Sequence, residues 1–322
     1  MHFISDADVA RVLTFPVLIA AMEAAHRRPK IEVLDGFLGS EGAQYVIRSA
    51  VDRGRYMASK MFTSFPGNLA AGKLPAVQAV CVLFDGRDGR PLAVFDATEI
   101  THWRTAADSA LGAKLLAPEN TQTLLVVGAG AMAPFLVRAH RTARPSLRRV
   151  IIWNRTAERA AALAASLCGE GIEAETTTDL DVATRAADVI TTCTRAHAPL
   201  IKGVNLRPGT HLDLVGGYTS QTREADDEAA RRARIFVDRR ESAFHGVGDI
   251  LQPIASGAIT ENDVLGDLYD LAKGAAGRRS ASDITLFKNA GGGHLDLMTC
   301  EVVFERLGAK LNAADISKSW RE

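Results

Sequence analysis

The run Gly128-Ala129-Gly130-Ala131-Met132-Ala133 follows the apolar stretch TLLVV and leads into PFLVRAHRTA, a helix-like segment. Strand, glycine turn and helix in that order form the setting in which a dinucleotide pyrophosphate is bound. The first glycine permits the tight turn, the second removes a Cβ from the path of the phosphates, and a small third residue lets helix and strand pack closely. The helix N-terminus adds partial positive charge. Gly128, Ala129, Gly130, Ala131 and Met132 are therefore expected to contact a nucleotide cofactor.

The end of the next strand decides which nucleotide. Sites for NAD carry an Asp or Glu there, which accepts hydrogen bonds from the ribose hydroxyls. Here VIIW ends in Asn154-Arg155-Thr156. A guanidinium with hydroxyl and amide donors suits a 2′-phosphate, which a carboxylate would repel. The expectation is NADPH, with NADH accepted at lower preference. The competing reading makes Arg155 a solvated loop charge and Thr156 the cap of the helix from Ala157. Thr192 and Cys193 end a further strand, and Val215, Gly216 and Gly217 end the one after, so these positions are expected to line the adenosine and nicotinamide.

Another set of residues could grip an anion. Arg48 in YVIRSAV, Lys60 in YMASKMF and Arg104 in HWRTAADSA are cations among apolar neighbours. On a strand of period two, Arg48 shares a face with Val46 and Ala50, where a charge needs a partner. A ligand carboxylate would serve, and so would a salt bridge or an exposed strand face.

The elements that must position these residues divide into two groups. Residues 1–105 hold the helical pattern PVLIAAMEAAHR and the strand-like AQYVIRSAVD, YMASKMFT, AVQAVCVLFD and PLAVFDA, with a hairpin-type turn at Asp85-Gly86-Arg87-Asp88-Gly89. From TAADSALGAKLLA onward, strands alternate with helices, which predicts a parallel sheet covered on both faces. The fold class is α/β: a Rossmann-type doubly wound sheet at 106–289, beside a strand-rich α+β domain formed discontinuously by 1–105 and 290–322. Ser5 and Asp8 read as a cap for the first helix.

Lys and Arg together number 38, as do Asp and Glu, so no field points to nucleic acid or an anionic membrane. No apolar stretch approaches the ~20 residues of a membrane span, and the N-terminus does not read as a signal peptide. Cys81, Cys168, Cys193 and Cys300 form no CxxC pair and are expected to be reduced core thiols in a cytoplasmic protein, without a metal site.

Lys60 in its strand, LPAVQAVCVLFD, WRTAADSALGAKLLA, GAGAMA, WNRTAERA and DLVGGYTSQTREADDE together resemble the ornithine cyclodeaminase/μ-crystallin family over nearly the whole chain. The resemblance implies a homodimer formed through the outer sheet domain. It also implies that Arg48, Lys60 and Arg104 hold a substrate carboxylate. Gln78 and Thr105, within the matching motifs, join the cofactor-binding set. Cyclodeaminases carry an Asp after the Gly-Gly that ends the LVG strand, where this chain has Tyr218, and Asp213 reads as structural.

The segment KNAGGGHLDL looks like that of relatives that reduce cyclic ketimines, with His294 joining the substrate-binding residues and Asp296 close by. The implied reaction is hydride transfer from NADPH to C2 of Δ1-pyrroline-2-carboxylate or Δ1-piperideine-2-carboxylate, giving L-proline or L-pipecolate. Lys60 is the implied catalytic residue, as carboxylate holder and proton donor. The alternatives are an alanine or N-alkyl amino acid dehydrogenase, a cyclodeaminase, and a non-catalytic protein that binds NADPH and a small ligand.

Overall fold

The computed structural model describes residues 1–40, 42–68, 72 and 74–308. The chain divides into two compact units. One comprises Met1–Ala25, Pro29–Arg104 and the chain from Gly292 onward, and the other His26–Arg28 with Thr105–Gly291. Residues 309–322 of the expected outer domain lie outside the described residues. His26–Arg28 group with the second unit because Arg27 Nε donates to the Ala272 carbonyl at 3.1 Å and the His26 ring meets Tyr269 edge-on.

The first unit is built on a six-stranded sheet of β1 (His2–Ile4), β2 (Glu32–Ser40), β3 (Ala43–Asp52), β4 (Tyr56–Ser64), β5 (Val77–Asp85) and β6 (Pro91–Asp96). The order is β1-β6-β5-β4-β3-β2, antiparallel except for the parallel β1–β6 pair. β3 to β6 coincide with the expected strands. β1 and β2 carry weaker signals, because β1 has three residues and β2 contains Gly36 and Gly39 and is mostly exposed. The β5–β6 turn forms as expected, with Arg87 donating to the Asp85 carboxylate and Gly89 at φ +77°. Ser5 and Asp8 make the expected reciprocal cap.

Register determines which side chains share a face. Asp35, Arg48, Lys60, Cys81 and Phe95 stand side by side from β2 to β6. The helix Gly293–Gly308 packs on this face. Gly293 allows its start to lie against β3, since an added Cβ would come 2.9 Å from the Ser49 carbonyl oxygen. On the opposite face Phe3, Leu34, Leu38 and Val80 are exposed.

The second unit holds an eight-stranded parallel sheet: β7 (Thr123–Val127), β8 (Arg149–Trp153), β9 (Ala174–Thr176), β10 (Val189–Thr192), β11 (His211–Leu214), β12 (Ala233–Val237), β13 (Val264–Asp267) and β14 (Ile284–Lys288). Their order is β13-β12-β14-β11-β10-β7-β8-β9. β7, β10, β11 and β14 are buried at every residue, as strands of a doubly covered sheet should be, and β10, β11 and β14 carry polar residues into that interior. Leu125 and Val127 pack into one core, Leu124 and Val126 into another, so a single strand serves both faces. Strand order reverses between β7 and β10, the point where such sheets bind ligands beyond their strand ends. The two-domain α/β class is thus as expected.

Two expectations need correction. The helix read from TAADSALGAKLLA begins at Ala97 and runs to Leu116, so the boundary between the units falls inside one helix. Polar Thr98, Glu99 and His102 obscure its first turns in the sequence. Of the thiols, Cys81 and Cys300 are core residues 3.6 Å apart, but Cys168 is exposed and Cys193 half-buried.

Gly112 lets that helix approach the parallel sheet, because a Cβ there would lie 2.6 Å from the buried Phe287 ring. Gly112→Ala should cost about 1–3 kcal/mol through overpacking, seen as a lower urea midpoint with an unchanged slope.

Candidate functional site

In the second unit Gly128 adopts φ +116°, which favours glycine, and an added Cβ would lie 2.9 Å from the Cys193 carbonyl oxygen. Gly130 differs: a Cβ there would meet nothing within 4 Å, and Gly130 and Ala131 are exposed. The turn is closed toward the sheet and open on its outer side. Helix Ala133–Ala143 follows, and no side chain caps its start. Exposed glycine backbone before an uncapped helix N-terminus fits a diphosphate.

Asn154 supports this turn. Its Oδ1 accepts from the Ala129 amide at 3.1 Å, and its Nδ2 donates to the Thr156 carbonyl at 2.8 Å. Thr156 occupies the N-cap of helix Ala157–Gly169, yet its hydroxyl makes no cap bond. Arg155 and Thr156 are exposed. The position beyond β8 therefore presents a cation and a hydroxyl, and no carboxylate.

Beyond β10 and β11 the structure contains a network that the sequence reading did not identify. Buried Glu224 accepts from Thr192 Oγ1 at 2.6 Å, Thr194 N at 2.7 Å, Thr194 Oγ1 at 2.8 Å and Gly216 N at 2.6 Å. Its own amide donates to Asp249, which also receives Lys288 Nζ at 3.0 Å. Burial and the nearby Asp249 push the Glu224 carboxyl above its ordinary range, while Lys288 opposes them. This network explains the glycine pair: a Cβ on Gly216 would lie 1.9 Å from the Thr194 carbonyl oxygen, and one on Gly217 would lie 2.0 Å from Asp249 Oδ2. In the sequence, TREADDE looks like the charged start of a helix, so buried Glu224 cannot be told from its exposed neighbours.

The remaining positions of the cofactor set are distributed as follows. Val215 is half-buried and its amide donates to the Thr192 carbonyl. Thr105 is buried and its carbonyl accepts from Asn289. Gln78 is exposed on β5 in the first unit, on the sheet face opposite Lys60. Asp213 is structural: it is fully buried and accepts from Ser109, Thr191 and His140.

The first unit brings the expected cations together around an acid. Lys60 Nζ donates to Asp296 Oδ1 at 2.7 Å and lies 3.4 Å from Thr101 Oγ1. Arg104 Nε sits 3.4 Å from the same Asp296 oxygen. Arg48 pairs with Lys60 across β3 and β4, and its Nε lies 3.9 Å from Asp35. Lys60 and Asp296 are only 2% and 1% exposed, so the pair is out of water. Burial lowers the Lys60 ammonium to about 8, Asp296 acts in the other direction, and Arg104 and Arg48 lower it further. His294 is fully buried in the first turn of the same helix as Asp296.

Among the described residues two buried cations, Lys60 and Arg104, face the single carboxylate of Asp296, which suits a further small anion. Asp296, expected close to the substrate-binding residues, is the hub of the cluster. A buried cation in an apolar strand demands an anion, and that demand was the available signal.

A profile of the ornithine cyclodeaminase/μ-crystallin family matches residues 38–310. The chain is 43% identical to a Δ1-pyrroline-2-carboxylate reductase of Paracoccus denitrificans, over 94% of this chain and 96% of the relative. Among solved structures, Thermococcus litoralis Δ1-pyrroline-2-carboxylate reductase in complex with NADH and L-proline superposes with TM-score 0.91 at 28% identity, covering 96% and 98% of the two chains. An archaeal alanine dehydrogenase dimer with bound NAD follows at TM-score 0.90 and 29% identity, covering 97% and 98%.

Lys60 should leave a mark on stability. Its folded-state value of about 8 lies below the ordinary 10.5, so between those values the unfolded chain binds more protons. Stability from this group then rises with pH across that window. Lys60→Met should abolish the rise and cost about 3 kcal/mol at pH 7 by stranding the Asp296 carboxylate. Urea titrations of both proteins from pH 7 to 10.5 check the sign and the size.

Proposed function

The chain belongs to the ornithine cyclodeaminase/μ-crystallin family, and on that basis we propose that it reduces Δ1-pyrroline-2-carboxylate to L-proline with a nicotinamide dinucleotide. Δ1-Piperideine-2-carboxylate, giving L-pipecolate, is the six-membered substrate of the same reading. The observation that carries it is the buried cluster of Lys60 and Arg104 on Asp296, with Arg48 next to Lys60.

When bound, the dinucleotide supplies the hydride. The protein's part is to hold the acceptor and set its charge. Arg48, Lys60 and Arg104 take the substrate carboxylate, and Arg offers a forked donor pair for it. Anchoring the carboxylate restricts C2, to which it is attached, and so replaces a diffusive encounter with an oriented one. Lys60, with its ammonium lowered to about 8, can release a proton to the ring nitrogen near neutral pH. His294 is assigned to the substrate side on the strength of its burial in the helix that carries Asp296.

The exposed Arg155 and Thr156, with no carboxylate beyond β8, support NADPH as the preferred cofactor and NADH as the poorer one. Gly128, Ala129, Gly130, Ala131 and Met132 would hold the pyrophosphate. Asn154 would hold the turn, Thr192, Cys193, Val215 and Gly216 would line the adenosine and nicotinamide, and Thr105 belongs to the same cofactor-binding set. Gln78 enters only through its motif. The likeness to the archaeal alanine dehydrogenase favours one second reading, reductive amination of an open-chain 2-oxo acid.

Homodimerisation through the outer face of the six-stranded sheet completes the proposal. Phe3, Leu34 and Leu38 are 71%, 70% and 64% exposed there, more apolar surface than a lone sheet face tolerates well. The alanine dehydrogenase relative is itself a dimer. A cytoplasmic setting is part of the same reading; among the described residues no single helix is long and apolar enough to cross a membrane.

NADPH oxidation followed at 340 nm should be fast with the cyclic imines and at least a hundredfold slower with pyruvate plus ammonia. The reverse order would favour the open-chain reading. Arg155→Ala should reduce the NADPH-over-NADH ratio of kcat/KM by tenfold or more, and an unchanged ratio would remove the NADPH assignment. Leu34→Glu combined with Leu38→Glu should sediment as a monomer where the parent sediments as a dimer.

A further inference from the structure

Within the first unit two buried polar atoms of opposite character lack hydrogen-bond partners among the described residues. Asp296 Oδ2 accepts from nothing, although Oδ1 of the same carboxylate takes Lys60 at 2.7 Å. Arg104 Nε donates to nothing; it lies 3.4 Å from Asp296 Oδ1, near enough to attract but without hydrogen-bond geometry. Asp296 is 1% exposed and Arg104 7%, so bulk water satisfies neither atom well. A buried carboxylate oxygen left open is costly, and in a native protein it points to an absent partner.

The two open atoms differ in what they accept. Arg104 Nε calls for an anion, Asp296 Oδ2 for an N–H. A protonated cyclic 2-imino acid carries both, with the carboxylate carbon and the ring nitrogen bonded to the same C2. We propose that Asp296 is a catalytic residue whose Oδ2 accepts the ring N–H of the substrate iminium, so that the site selects a zwitterion rather than a carboxylate alone. This rests on the reduction proposed above and adds to it the protonation state that is bound.

The balance of the step is simple. The bound dinucleotide would supply a hydride to C2 and be oxidised in doing so; the C=N π pair moves onto nitrogen, and the iminium becomes a secondary amine. The N–H held by Asp296 stays on nitrogen throughout, so Asp296 does not change protonation. A carboxylate beside the nitrogen favours the iminium, which is the more electrophilic form.

The test compares two ligands of similar shape on the full-length protein with NADP⁺ bound. L-Proline carries an N–H₂⁺ next to its carboxylate, while cyclopentanecarboxylate has the carboxylate only. By calorimetry the wild type should bind L-proline at least tenfold more tightly. In Asp296→Asn that ratio should fall below two, kcat/KM for the cyclic imine should fall about a hundredfold, and NADP⁺ affinity should not change. A variant that weakens both ligands equally would make Asp296 only a support for Lys60, and would overturn the proposal. If Asp296→Asn does not fold, the wild-type ratio alone still decides, because a ratio near one overturns it. A wild-type ratio near one, with cyclic imines still reduced by the wild type, sinks this inference alone. Absence of any imine reduction by the wild type sinks the functional reading as well.

Discussion

The first unit is organised around one ion pair, Lys60 with Asp296, that water does not reach. Such a pair gives little net stability, because removing two charges from water costs about as much as their attraction returns. What it supplies is position. Lys60 comes from the middle of β4, Asp296 from the first turn of the helix that covers the sheet, and Arg104 from the helix Ala97–Leu116. One carboxylate oxygen joins all three elements, so the geometry of the cluster is set by the fold.

The second unit solves a comparable problem with a different acid. Glu224 draws together the ends of β10 and β11 through four hydrogen bonds to Thr192, Thr194 and Gly216. Glu224 does not itself have to meet a ligand to matter, because it fixes the backbone at the strand ends where sheets of this kind bind their cofactors. Both units therefore place a buried carboxylate behind their candidate sites, surrounded by donors that keep it from being an isolated charge.

Much of this was legible in the sequence, and the reasons differ by element. The parallel sheet was readable because short strand-like runs, apolar throughout in β7 after Thr123 and partly so in β10, β11 and β14, alternate with helical segments. The glycine turn was readable because its spacing has few other uses in that context. Arg48, Lys60 and Arg104 stood out as charges among apolar residues, and the structure places Arg48 next to Lys60 and Lys60 beside Arg104. Asp296 was expected close by, but not as their partner. Asp296 lies in a helix first turn, where an acid needs no special explanation, and its burial depends on a sheet more than two hundred residues earlier in the chain. Glu224 was hidden in an acidic run for the same reason. β2 was missed because an exposed edge strand with glycines shows no alternation.

Chain order adds a kinetic consequence. β14 sits between β11 and β12 in the interior of the parallel sheet, and the helix Gly293–Gly308 covers the six-stranded one, yet both are made after every other strand of the two sheets. Neither core can close until residues 284–308 have been made. Growing chains must then carry open apolar strands for most of their synthesis, a state in which association with other nascent chains competes with folding. That exposure is set by where one strand and one helix fall in the order of translation.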